Sequence, residues 1–192
     1  MVEGINIAPL PVEVMSLLLA QEFAMVPRPE TLFSVSDYFR SRYMMEFDRS
    51  DTVDLATAFP SDVAEIYEAN TFYSPEGYLY RFPRAFDFAV KWGDKALSTD
   101  FVSVIFHVPR LDFGARWLSL FNDRQKACVW LALQSMDSAL QTNYLDPDYL
   151  DQDDFEQIAI NLFASREPPW AFIAEVVASV TPHWTVSSVP AR

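Results

Sequence analysis

Cysteine occurs once in the 192 residues, histidine twice and glycine four times. The single cysteine, Cys128, excludes an internal disulfide and gives no sign of an oxidising compartment. So few glycines argue against a turn-rich sandwich and against the glycine loops that cradle nucleotides. Basic residues are also scarce: 14 Lys and Arg face 27 Asp and Glu, for a formal net charge of −13. Such a chain repels phosphates and anionic lipid surfaces, so neither nucleic acid nor membrane is expected as a partner. The apolar stretch from Val14 to Val26 is interrupted by Gln21 and Glu22, and Met1-Val-Glu-Gly lacks a basic leader. Neither signal peptide nor membrane span is expected, which places the chain in the cytoplasm.

Apolar residues make up 51% and aromatics 15%, ample for a core, while thirteen prolines point to many short elements with sharp ends. The expectation is an all-α, irregular multi-helix bundle: one domain over 1–180 and a loosely ordered tail over 181–192. The first helix is expected over Val12–Met25, with Val14, Leu17, Leu18 and Met25 inward. A second runs from Ser36 as N-cap to Phe47, and Asp48–Pro60 reads as a connection. Ser61 is expected to cap a helix reaching Ala69. Ser74-Pro75-Glu76 is a stronger start, because serine caps free amides, proline suits the first position and glutamate suits the positive helix end.

The helix after Ser74 is dense in aromatics, should break or restart at Pro83, and can end at Gly93. Asp87 and Lys91 are spaced for an outer-face ion pair. In Phe101–Val108 the residues Val102, Val104, Ile105 and Phe106 suit a strand, yet Asp100 can equally cap a short helix ending before Pro109, and helix is the expectation. Asn122 and Gln125 form a capping box before the longest helix, which carries Val129, Leu133, Met136 and Leu140 inward. An acidic linker, Asp146–Asp154, leads to a helix with Phe155, Ile158, Ala159 and Leu162 at core spacing. Pro168 and Pro169 end it and start the next, with Trp170, Ile173, Ala174 and Val177 inward.

Covalent catalysis needs a nucleophile, a base within reach and an orienting group. Cys128 lies among apolar residues and reads as a buried structural thiol; His107 reads as a satisfied core histidine. One cysteine and two distant histidines do not make a zinc set, and the Asp146–Asp154 run has Leu150 where a calcium loop needs oxygen. No metal and no cofactor are expected.

Charge segregation is the one pattern that stands out. No Lys or Arg occurs from Ala127 to Ser165, where Asp137, Asp146, Asp148, Asp151, Asp153, Asp154 and Glu156 accumulate among Tyr144, Tyr149 and Phe155. Rings as anchors and carboxylates as steering charges are what an interface to a basic protein uses. The candidate partner-binding set is therefore Asp146, Asp148, Tyr149, Asp151, Asp153, Asp154 and Glu156. A second acidic stretch holds Glu46, Asp48, Asp51, Asp54, Asp62, Glu65 and Glu68, opposed within it only by Arg49.

The segment from Glu68 through Phe72-Tyr-Ser74-Pro75-Glu76-Gly-Tyr78-Leu-Tyr80-Arg81-Phe82-Pro83 to Phe86 resembles a family of small, acidic, helical bacterial proteins. Leu120-Phe121-Asn122-Asp123-Arg124-Gln125-Lys126 is similar to that family's second block, with Asn-Asp where the family has Thr-Pro. The resemblance implies an immunity-type protein that binds and neutralises a cognate bacterial toxin or effector. The expected function is thus non-enzymatic, through an acidic surface docking on a basic partner. Two other readings stand beside it: a structural or adaptor subunit, and a small carboxylate-based hydrolase.

Overall fold

The computed structural model describes residues 7–36, 41–64, 72–97, 105–112, 114–144, 150 and 152–180. Among them are eight α-helices and no strand, an all-α domain. In chain order they are α1 (Val12–Glu22), α2 (Met44–Thr52), α3 (Pro60–Ala64), α4 (Pro75–Trp92), α5 (Asp94–Leu97), α6 (Asp123–Tyr144), α7 (Gln152–Phe163) and α8 (Trp170–Val180). Two 3₁₀ turns, η1 (Val108–Arg110) and η2 (Gly114–Arg116), lie between α5 and α6. The second half of the expected 101–108 helix is helical and runs into η1; 101–104 lie outside the described residues, as do the 181–192 tail and His183.

α6 is the axis of the bundle. Ala127, Cys128, Val129, Trp130, Leu131, Ala132 and Leu133 are all buried, so over these two turns the helix is enclosed all round rather than along one stripe. α1, α7 and α8 pack against it, and α4 packs against α1. The capping box is in place: the Gln125 amide donates to Asn122 Oδ1 at 2.9 Å, and the Asn122 amide donates to Gln125 Oε1 at 3.1 Å. Beside it Arg124 grips the Glu22 carboxylate with Nε at 2.9 Å and Nη2 at 2.6 Å, and Nη2 also donates to Ser179 Oγ at 2.9 Å. One guanidinium fork thereby ties α1, α6 and α8 together.

α1 departs from expectation. Its buried residues are Met15, Leu18 and Leu19, whereas Leu17 is 65% exposed and Met25 92% exposed. The run Val14-Met-Ser-Leu-Leu-Leu19 contains two overlapping sets at i, i+3, i+4 (Val14, Leu17, Leu18 and Met15, Leu18, Leu19), and packing against α6 and α4 selects the second. Met25 lies past the end of the helix at Glu22. α2 also differs, since Asp48–Thr52 is helical rather than a connection. Its last turn is closed partly by Thr52, whose hydroxyl donates to the Asp48 carbonyl at 2.9 Å. Arg81 of α4 completes that end by donating to the carbonyls of Ser50 and Val53. Ser61 is not a cap: α3 begins at Pro60, and Asp62 accepts the Phe59 amide at 2.8 Å.

α4 starts as its sequence requires, with Ser74 Oγ accepting the Gly77 amide at 2.9 Å. It does not break at Pro83. The ring removes the amide that would meet the Leu79 carbonyl, but Pro83 is buried with Tyr78, Phe82 and Phe86, and packing holds the helix through it. Arg84 donates to the neighbouring Tyr80 carbonyl at 2.7 Å. Gly93, at φ 51°, ends the helix in a conformation that a side chain would strain. Lys91 does not pair with Asp87; it crosses to the Ala56 carbonyl at 2.8 Å.

The start of α4 abuts extended backbone. Ser34 donates to Phe72 O and Ser74 donates to Leu32 O, both at 2.9 Å, with the Phe33 and Tyr73 rings stacked 5.0 Å apart. At Gly77 a Cβ would lie 1.9 Å from the Leu32 carbonyl oxygen, so no side chain fits without moving backbone. Gly77→Ala is expected to destabilise the fold by roughly 1–3 kcal/mol, read from denaturant melts. An unchanged midpoint would show that the 32–34 segment is not held against α4.

Candidate functional site

α7 joins two surfaces. Its first turn holds Asp153 and Asp154, where acidic side chains meet the positive end of a helix. These residues begin the helix rather than end a linker. Asp153 is exposed. Asp154 turns toward η1, its Oδ2 3.5 Å from Arg110 Nη1, while Arg110 Nε donates to His107 Nδ1. Partial burial, then the Arg110 charge, lower the His107 pKa from its ordinary 6.5, opposed by Asp154. The histidine is thus half-buried and engaged by arginine, not enclosed in the core.

Glu156 Oε1 accepts Arg166 Nε at 3.0 Å. Asp153, Asp154 and Glu156 are therefore brought together on the opening turns of α7. Asp146, Asp148, Tyr149 and Asp151 lie outside the described residues, as does the side chain of Tyr144. Phe155 is not a partner-facing anchor. It packs edge-on against Trp130 at 5.4 Å, because the same periodicity that buries Ile158 and Leu162 turns it toward α6.

The second acidic stretch engages several of its carboxylates with backbone amides, while Asp48 and Asp54 stay exposed. Asp51 accepts the Leu32 amide at 3.3 Å, Asp54 that of Ala56 at 3.1 Å, and Asp62 that of Phe59. Nor is Arg49 its only opposing charge, since Arg28 donates to the Asp51 carbonyl and Arg81 lies against the end of α2. Glu65 and Glu68 lie outside the described residues.

At the far end of α7 a groove of about 700 Å³ opens between the η2 turn, the start of α6 and the α7–α8 connection. Ile160, Phe163 and Phe172 supply apolar walls; Asp123, Lys126 and Glu167 supply charge. Asn161 fixes one side, its amide donating to the carbonyls of Pro109 at 2.8 Å and Leu111 at 2.7 Å. Sequence patterning missed this groove. The available signal was Ile160, an apolar residue off the buried Ile158, Ala159, Leu162 face and 39% exposed.

Ala164, which ends α7 and lines the groove, has φ 54° without being glycine. Left-handed backbone costs an L-residue about 1–2 kcal/mol, part of which glycine gives back as unfolded-state entropy. Ala164→Gly is therefore expected to raise the unfolding free energy by roughly 0.5–1 kcal/mol. A loss of stability in urea melts would contradict the left-handed turn.

For covalent chemistry the surroundings are poor. Burial first, with Glu22 adding, raises the Cys128 thiol far above its ordinary range, so it stays protonated. Among the described residues no three His, Cys, Asp or Glu side chains gather as a metal set, and no helix is long and apolar enough to cross a membrane. Compared with family models, curated proteins and solved structures, the chain matches none of them.

Proposed function

We propose that this chain is a non-enzymatic binding protein of the immunity type, neutralising a basic toxin or effector through the acidic surface that opens α7. The observation that carries the reading is how the cations are placed. Arg28, Arg81, Arg84 and Lys91 donate to backbone carbonyls rather than to carboxylates. Arg84 and Lys91 also lie over the rings of Tyr80 and Trp92. Arg110, Arg124 and Arg166 do meet carboxylates, those of Asp154, Glu22 and Glu156, but Asp153 is exposed and the acidic side chains far outnumber the basic ones, so the net charge of −13 is available to steer a partner. Asp51 and Asp54 each accept a backbone amide, and Arg28 and Arg81 lie beside their stretch, which favours the α7 surface over it.

The test starts with a partner purified from native lysate and measures association by stopped flow. The on-rate should fall about tenfold or more between low and physiological salt. Asp153→Asn combined with Glu156→Gln should slow association while leaving the melting temperature nearly unchanged, since Asp153 is exposed and the surface ion pair of Glu156 with Arg166 contributes little to stability. Asp51→Asn combined with Asp54→Asn should have the smaller effect on association. An on-rate indifferent to salt and to both pairs would remove the acidic surface from the interface.

A further inference from the structure

We propose that the groove at the end of α7 is the anchor half of the same docking surface, taking an apolar side chain from a basic segment of the protein partner. This rests on the functional reading above and specifies the partner's chemistry. Asp153, Glu156 and Ile160 stand at i, i+3 and i+7, one face of one helix. At 1.5 Å per residue the first and last are about 10 Å apart along the axis. A partner side chain seated against Ile160, Phe163 and Phe172 thus brings its neighbours alongside Asp153 and, where a basic one displaces Arg166, alongside Glu156.

The cavity, about 700 Å³, is of ligand-pocket size and large enough for a side chain with its flanking backbone. Its charges are Asp123 and Glu167 against Lys126, and Arg166 beside it is already paired with Glu156. The balance favours lysine or arginine on either side of the anchor. A second copy of this chain would bring another −13 and is disfavoured, as is nucleic acid. Charge steers the approach and the anchor sets the residence time, the usual division between rim and centre of an interface.

Random short peptides displayed on phage and selected on the folded chain test this, because the selection does not presuppose a sequence. Selected peptides should combine Lys or Arg with an aromatic or aliphatic residue. Ile160→Ser should weaken them about tenfold or more. Ile160→Glu is the sharper variant: it adds a carboxylate, so binding by charge alone would strengthen, whereas loss of the anchor wall weakens it. Both substitutions sit at the exposed rim, and thermal melts confirm that the fold is kept.

Basic peptides with no apolar residue, bound more tightly by Ile160→Glu, would overturn the groove's role and leave the acidic-surface reading standing. Acidic or purely apolar selections, or none at all, would overturn both. Self-association abolished by Ile160→Ser in sedimentation would assign the groove to a second copy and overturn the proposal.

Discussion

Arg81→Met is expected to unfold this protein more readily than any surface change, by about 2–6 kcal/mol in denaturant melts. Arg81 is fully buried, and its guanidinium donates to the carbonyls of Ser50 and Val53 at the end of α2. Those carbonyls are among the acceptors that a helix end leaves without partners, and they carry its partial negative charge. Methionine fills much the same volume but donates nothing. One buried and one partly buried acceptor then lose their partner, at about 1–3 kcal/mol each. Arg81→Lys should rescue only in part, because an ammonium is a point charge and cannot fork onto two carbonyls. Equal stability for the methionine variant would mean that water caps α2 and that Arg81 is dispensable.

Phe86→Ala should remove about 3–5 kcal/mol, as the truncation of a fully buried aromatic ring does. Phe86 is buried on α4, edge-on to Phe106 at 6.3 Å, and Phe106 in turn meets Phe82 at 5.7 Å. The rings interlock α4 with the helical turn at 105–107, so a cavity there has walls on two elements and little freedom to collapse. A conservative Phe86→Leu should cost distinctly less, since volume is better kept. A loss below about 1 kcal/mol for the alanine variant would show that the core does not run through Phe86.

Local signals were legible in the sequence. The Ser74 cap, the Asn122–Gln125 box and the burial of Ile158, Ala159 and Leu162 depend on residues three or four apart, and the backbone obeys them. What escaped the sequence depends on distant partners. Pro83 breaks an isolated helix but not one enclosed on its inner face, and nothing within a few residues of Asp48 shows that Arg81 will cap the turn that follows. The buried face of α1 is decided by α6 and α4, across a run of near-identical apolar residues. For the candidate site, Asp153 is exposed as its charge required, but Phe155 followed its helical register inward. The groove formed where α6, α7 and α8 converge, which no single segment encodes.

The fork from Arg124 to Glu22 joins residues 102 apart. During synthesis α1 leaves the ribosome well before α6 exists, and translation at about 5–20 residues per second sets a delay of roughly 5–20 s. Through that interval α1, with its buried Met15, Leu18 and Leu19, lacks α6, the larger of the helical surfaces packed against it. A nascent chain in this condition offers a holdase chaperone a defined early target, the face of α1, and release should coincide with emergence of α6. Polar substitutions at Leu18 would then shorten chaperone residence on stalled chains that end before α6, even though the same change harms the finished fold.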